Sequence, residues 1–123
     1  AREMARGSIV LVDARAPDRF AGRNEHIDPV AGHVPGAINM PFTGNLGPAS
    51  HWRTPDALRA HWQPVLQRAD GRAVVAMCGS GITACHNLLA LELAGHRDTR
   101  LFAGSWSGWI ADPARPIATG EDV

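Results

Sequence analysis

One stretch limits the folds open to this chain more than any other. Val74-Val75-Ala76-Met77 is a short apolar run, Cys78-Gly79-Ser80-Gly81-Ile82-Thr83 follows it, and an apolar helical run continues to Ala94. A buried strand that feeds a tight turn and then a helix is the repeating step of an α/β sheet. Gly79 and Gly81 carry no Cβ, so the backbone can curl with several N–H groups turned toward the Cys78 sulfur. The helix beginning near Thr83 aims the positive end of its dipole at the same point. Both effects favour thiolate over thiol, which makes Cys78 a candidate nucleophile able to hold a transferred anionic group. The expectation carries its own test: a Cys78 side chain packed away from solvent counts against it.

Around that stretch the chain alternates between strand and helix signals. Ile9-Val10-Leu11-Val12 is a β-branched run suited to a strand buried on both faces of a parallel sheet. It ends at Asp13-Ala14-Arg15, just past a carboxyl end, where functional groups of open α/β sheets gather. A local ion pair that fixes the turn and a catalytic role both remain open there. Pro17 to Ala21 reads as a short helical turn bearing Arg19, and Gly22 to Pro35 as a long polar loop. Gly36 is expected at positive φ, with a second short strand over Ala37 to Met40. His33, beside that turn, reads as a hydrogen-bonded structural group.

Thr54-Pro55-Asp56 marks a helix start: N-cap, proline in the first position, acid in the first turn. Leu58, Trp62, Val65 and Leu66 recur at helical spacing and should face the sheet, while Pro64 should kink or break the helix. Ala69-Asp70-Gly71-Arg72 reads as a turn into a strand over Ala73 to Met77. In the following helix Cys85, Leu88, Leu89 and Ala94 should mark the buried side, with Gly95 as the C-terminal cap. Arg100-Leu101-Phe102 is a last short strand. Gly104 to Trp109 turns into a brief helix, and from Asp112 the chain is a Pro-rich surface tail. Trp52, Trp62 and Trp109 are assigned to the core. These elements add up to one three-layer α/β domain over residues 1–123, a mainly parallel central sheet flanked by helices.

Composition removes several classes of function. Twelve basic and twelve acidic residues cancel, so there is no global field for nucleic acid or anionic membrane. Every cation is Arg, which excludes lysine chemistry. No apolar run has membrane-spanning length and no signal-peptide pattern occurs, so a soluble, cytoplasmic protein is expected. The two cysteines make no disulfide framework. Cys78 and Cys85 would be separated by roughly 10 Å of helical rise, and Cys85 is assigned to the core. No His-x-Glu or Cys-x-x-Cys spacing suggests a metal, and no cofactor is expected.

Two chemistries suit a cysteine in a backbone cradle. Phosphate-monoester hydrolysis needs an Arg closing the loop about six residues after the Cys; Ala84 stands there, and the loop is one residue too tight. Sulfur transfer needs a thiolate that becomes a persulfide whose terminal sulfur the amides stabilise, and the stretch fits that better.

Cys78-Gly79-Ser80-Gly81-Ile82-Thr83-Ala84-Cys85-His86 resembles the active-site signature of the rhodanese superfamily, in particular its 3-mercaptopyruvate sulfurtransferase branch. The resemblance extends in order through Asp13-Ala14-Arg15, Gly32-His33-Val34-Pro35-Gly36-Ala37 and Gly104-Ser105-Trp106. It implies the catalytic, C-terminal domain of a tandem-domain enzyme. Such an enzyme moves sulfur from 3-mercaptopyruvate or thiosulfate, through a Cys78 persulfide, to cyanide or a thiol. By matching position, Cys78 and Ser80 are catalytic, and Arg19, Gly79, Gly81, Ile82 and Thr83 bind the donor. Trp106 and Arg23 are candidates for the pocket wall, with Trp106 equally readable as an aromatic packed under the loop. The relay that completes Ser80 in tandem enzymes belongs to the other domain. Gly79-Ser80 offers no cation, which favours mercaptopyruvate over thiosulfate. The alternative is a persulfide-carrying interaction module with little activity without its companion N-terminal domain.

Overall fold

The computed structural model describes residues 9–23, 29–47, 51–70, 72–78, 83–96, 98–102 and 104–120. In chain order the elements are β1 (Ile9–Asp13), α1 (Pro17–Ala21), β2 (Ile38–Asn39), a 3-10 turn (Phe42–Asn45), α2 (Pro55–Ala69), β3 (Ala73–Met77), α3 (Ala84–Leu93), β4 (Thr99–Leu101) and α4 (Ser105–Ile110). The sheet order is β2-β1-β3-β4, and each of its three strand pairings is parallel. The two central strands run in register from Ile9 opposite Ala73 to Asp13 opposite Met77. Their Val- and Ala-rich sequences suit this, because helices cover both faces. The α/β architecture read from the sequence is the one observed.

Side-chain alternation sorts the core into two layers. Val10, Val12, Val74, Ala76 and Cys78 pack with α2 and α3. Leu11 and Met77 point the other way, onto Phe20 of α1 and Trp106 and Trp109 of α4. Thr54 caps α2 through its Oγ, which accepts from the Ala57 N–H at 3.3 Å, and Leu58, Trp62 and Val65 are buried. The helix runs through Pro64 to Ala69 rather than breaking there. The carbonyl that loses its partner belongs to Ala60, which is exposed, so water can replace the missing N–H. α3 ends in a Schellman motif: the Gly95 N–H donates to Glu92 O and the His96 N–H to Leu91 O, with Gly95 at φ 98°.

Three expectations about the helical side are corrected. α3 buries Ala84, Asn87, Ala90 and Leu91, whereas Cys85 is exposed and Leu89 is 46% exposed. α3 is apolar on nearly every side, so spacing alone did not single out the inward stripe; the polar Asn87 lies within it. Cys85 is therefore not a core residue. Trp52 is not core either: it stacks on the His86 ring at 4.2 Å between centroids, half open to solvent.

On the other layer Gly36 has the expected positive φ, 87°. His33 is fully buried, stacked on Phe20 at 3.8 Å, and its Nδ1 lies 2.7 Å from Phe20 O. A carbonyl only accepts, so Nδ1 carries the proton. The tail is more than a surface strand. His33 and Ala118 exchange both backbone hydrogen bonds, at 2.8 and 2.9 Å, and Trp109 Nε1 donates to Pro116 O. Gly32 makes this approach possible, because a Cβ there would lie 2.5 Å from Ala118 O. No helix among the described residues is long and apolar enough to cross a membrane.

Candidate functional site

Cys78 follows directly from β3, at the carboxyl end of a central strand. Ala14 N–H donates to Met77 O at 2.8 Å, so β1 and β3 are still paired one residue before the cysteine. Cys78 itself is held by the residues that open α4. Its N–H donates to Ser105 Oγ at 3.0 Å, and its carbonyl accepts from the Trp106 N–H at 2.8 Å. Ser105 Oγ in turn donates to Phe102 O at 3.0 Å. Ser105 is fully buried and adopts φ 51°, a left-handed conformation that costs a residue with a Cβ about 1–2 kcal/mol.

Cys78 is 1% exposed and packs with the layer formed by α2 and α3. The thiol is packed away from solvent, against the expectation for an accessible nucleophile. The side-chain alternation of β3 continues through Cys78, which directs it inward with Val74 and Ala76. Gly79, Ser80, Gly81 and Ile82, assigned to the cradle, lie outside the described residues. Thr83 is described as the half-buried residue preceding α3; its carbonyl accepts from the His86 N–H at 3.1 Å, and its side chain makes no capping bond.

At the end of β1 the Asp13–Arg15 pair is buried, with side chains 0% and 1% exposed. Arg15 Nε and Nη2 reach the carboxylate at 2.8–3.1 Å, the Arg15 N–H adds a bond at 3.0 Å, and Nη2 also donates to Gly32 O at 2.7 Å. The guanidinium carbon lies 4.7 Å from the Trp106 ring centroid. Asn39 Nδ2 donates to the carbonyls of Asp13 and Arg15, joining β2 to the same end of the sheet. Among the described residues these bonds tie the pair to the fold, in keeping with the structural reading of the turn.

Of the pocket candidates, Trp106 is fully buried, with its indole N–H donated to Val30 O at 2.8 Å. It is packed beneath the site and lines no open surface. Arg23 is exposed and pairs with Asp18 at 3.3 Å. Arg19 is half-buried on α1, which leaves the carboxyl end of the strand beside β3.

Sequence reasoning missed a network on the other layer. Trp62 Nε1 donates to Asn45 Oδ1 at 2.8 Å. Indole only donates, so the amide orientation of Asn45 is fixed. Its Nδ2 therefore donates to Asn87 Oδ1 at 2.7 Å and to His86 Nδ1 at 3.2 Å. His86 must accept at Nδ1, which places its proton on Nε2. Burial lowers the His86 pKa from 6.5, which favours the neutral ring that this bond requires. No sequence pattern announces buried Asn45 or Asn87; Ser105 was visible only as the middle of Gly104-Ser105-Trp106.

A parallel sheet with a cysteine at the carboxyl end of a central strand, its backbone gripped from a neighbouring helix, defines a thiol-centred α/β domain. Residues 1–112 match the rhodanese-like domain family, and the chain belongs to that family. It is 50% identical over 119 residues to a Pseudomonas aeruginosa protein named probable 3-mercaptopyruvate sulfurtransferase, covering 97% of this chain and 42% of that one. To the mouse thiosulfate sulfurtransferase it is 37% identical, covering 90% of this chain and 39% of the relative. The crystal structure of Tum1 from Saccharomyces cerevisiae superposes with a TM-score of 0.80 at 28% identity, covering 98% of this chain and 43% of that chain. The chain thus spans well under half the length of these relatives.

Proposed function

We propose that this domain transfers sulfur through Cys78. The thiolate attacks the outer sulfur of thiosulfate, releasing sulfite, or the thiol sulfur of 3-mercaptopyruvate. In the second case the C–S bond breaks, its electron pair goes to the enolate carbon, and protonation there gives pyruvate. Either donor leaves a Cys78 persulfide. Cyanide or a thiol then takes the terminal sulfur and returns the thiolate. The observation that carries this reading is the place of Cys78: the carboxyl end of a central strand, in a family member whose relatives bear sulfurtransferase names. Arg19 is assigned to the donor's carboxylate or sulfonate, and Ser80 to donor activation. Gly79, Gly81, Ile82 and Thr83 are assigned to the anion cradle.

One observation favours the second reading, a persulfide carrier that works only beside a companion domain. Cys78 is 1% exposed, and a buried thiol fits a site whose working form includes a companion domain. The relatives have room for such a domain, since this chain spans 42% of the Pseudomonas protein.

Mass spectrometry after exposure to each donor separates the readings. Sulfur transfer predicts one added sulfur on Cys78, thiocyanate formation with cyanide, and loss of both in Cys78→Ser. No added sulfur in the isolated domain, but addition in a longer chain that carries a companion domain, selects the carrier. A persulfide that survives Cys78→Ser overturns both.

A further inference from the structure

We propose that Ser105 is a positioning residue for the Cys78 nucleophile, acting through the cysteine's own backbone; this rests on the sulfur-transfer reading above. The direction in which a side chain leaves the main chain is set by its N, Cα and C atoms. At Cys78 both polar backbone groups are pinned from one place. The N–H is held by Ser105 Oγ at 3.0 Å and the carbonyl by the Trp106 N–H at 2.8 Å. The Cα–Cβ bond of Cys78 is thereby fixed from α4, a helix 27 residues further along the chain. β3 has ended one residue earlier, so the sheet itself no longer supplies this constraint.

The hydroxyl stands in a relay. Cys78 N–H donates to Ser105 Oγ, whose own hydrogen goes to Phe102 O. Donating that hydrogen makes the oxygen a better acceptor, and burial strengthens both bonds. Ala would leave the Cys78 N–H buried and unmatched. Gly would satisfy the backbone better than Ser, because φ 51° is unstrained only without a Cβ. The chain nevertheless places a hydroxyl there, and strain kept at one residue beside a reactive group points to a role for that residue. A precise thiol direction is what a displacement at sulfur requires, since the attacking and leaving atoms must align.

Ser105→Gly is the informative variant, as it removes the hydroxyl and the backbone strain together. Amide hydrogen exchange reads the clamp with no donor present. The Cys78 amide is expected to lose protection at least about tenfold while the Met77 amide keeps its own. Sulfur-transfer kinetics read the positioning: kcat is expected to fall about tenfold or more, with donor KM within about twofold. A merely structural role would lower the melting temperature and leave kcat per folded molecule unchanged. Unchanged protection of the Cys78 amide overturns the clamp, and lost protection with unchanged kcat overturns the positioning role. If the unsubstituted protein, tested also with its companion domain, forms no persulfide, the sulfur-transfer reading fails and the positioning role falls with it. The exchange result would still report on the clamp alone.

Discussion

Against the α1/α4 side of the sheet, an aspartate and an arginine are buried as a charged pair that shares its bonds with the backbone. Against the α2/α3 side, Trp62, Asn45, Asn87 and His86 form a neutral chain of donors and acceptors. Both arrangements hold loops to the carboxyl end of the sheet, but they respond differently to damage. A buried charge left alone has no cheap alternative state, whereas a neutral amide loses one hydrogen bond at a time. The first arrangement is all-or-none; the second is graded and includes a group that titrates.

The largest effect should come from breaking the charged pair. Arg15→Met leaves Asp13 uncompensated and should lower unfolding stability by about 3–5 kcal/mol, measured by urea denaturation. The double variant Asp13→Ala/Arg15→Met should recover part of that loss. If it is no more stable than the single variant, the Gly32 and Trp106 contacts of Arg15 matter more than its charge.

Cutting the neutral chain should cost less. Trp62→Phe keeps most of the buried ring but removes the donor to Asn45 Oδ1, for an expected loss of about 1–3 kcal/mol. A loss as large as that of Arg15→Met would erase the distinction between the two sides.

The smallest effect is the pH response. Burial lowers the pKa of His86 from 6.5; burial and then Arg53 lower that of His61. Between the folded pKa values and 6.5 the unfolded chain binds more protons, so stability rises with pH. The contribution is complete above 6.5 and is lost as pH falls through the folded values. Melting temperature should therefore drop between about pH 7.5 and about pH 5.5, and His86→Gln should flatten part of that slope. An unchanged slope would assign the response elsewhere.

The same contrast explains what could be read from the sequence. Strands β1 and β3 were legible because continuous apolar runs leave few alternatives, and α2 because its cap and its Leu58-Trp62-Val65 spacing agree. In α3, apolar residues on all sides hid the inward face, and a buried Asn87 contradicted the hydropathy signal. The position of Cys78 at a strand end was legible from local order alone. Its burial and its grip by Ser105 were not, since the first depends on how α2 and α3 pack on the sheet and the second on a contact with a segment 27 residues away.

Gly32 shows how far such contacts reach. Its carbonyl is gripped by Arg15, and its missing side chain is the space into which the Ala118 carbonyl fits. A single peptide unit is thus a knot shared by the first turn after β1 and by one of the last stretches of the fold. Any methyl group added there pushes apart two segments that never touch each other in sequence, so the finish of the first strand is set partly by residues more than a hundred positions downstream.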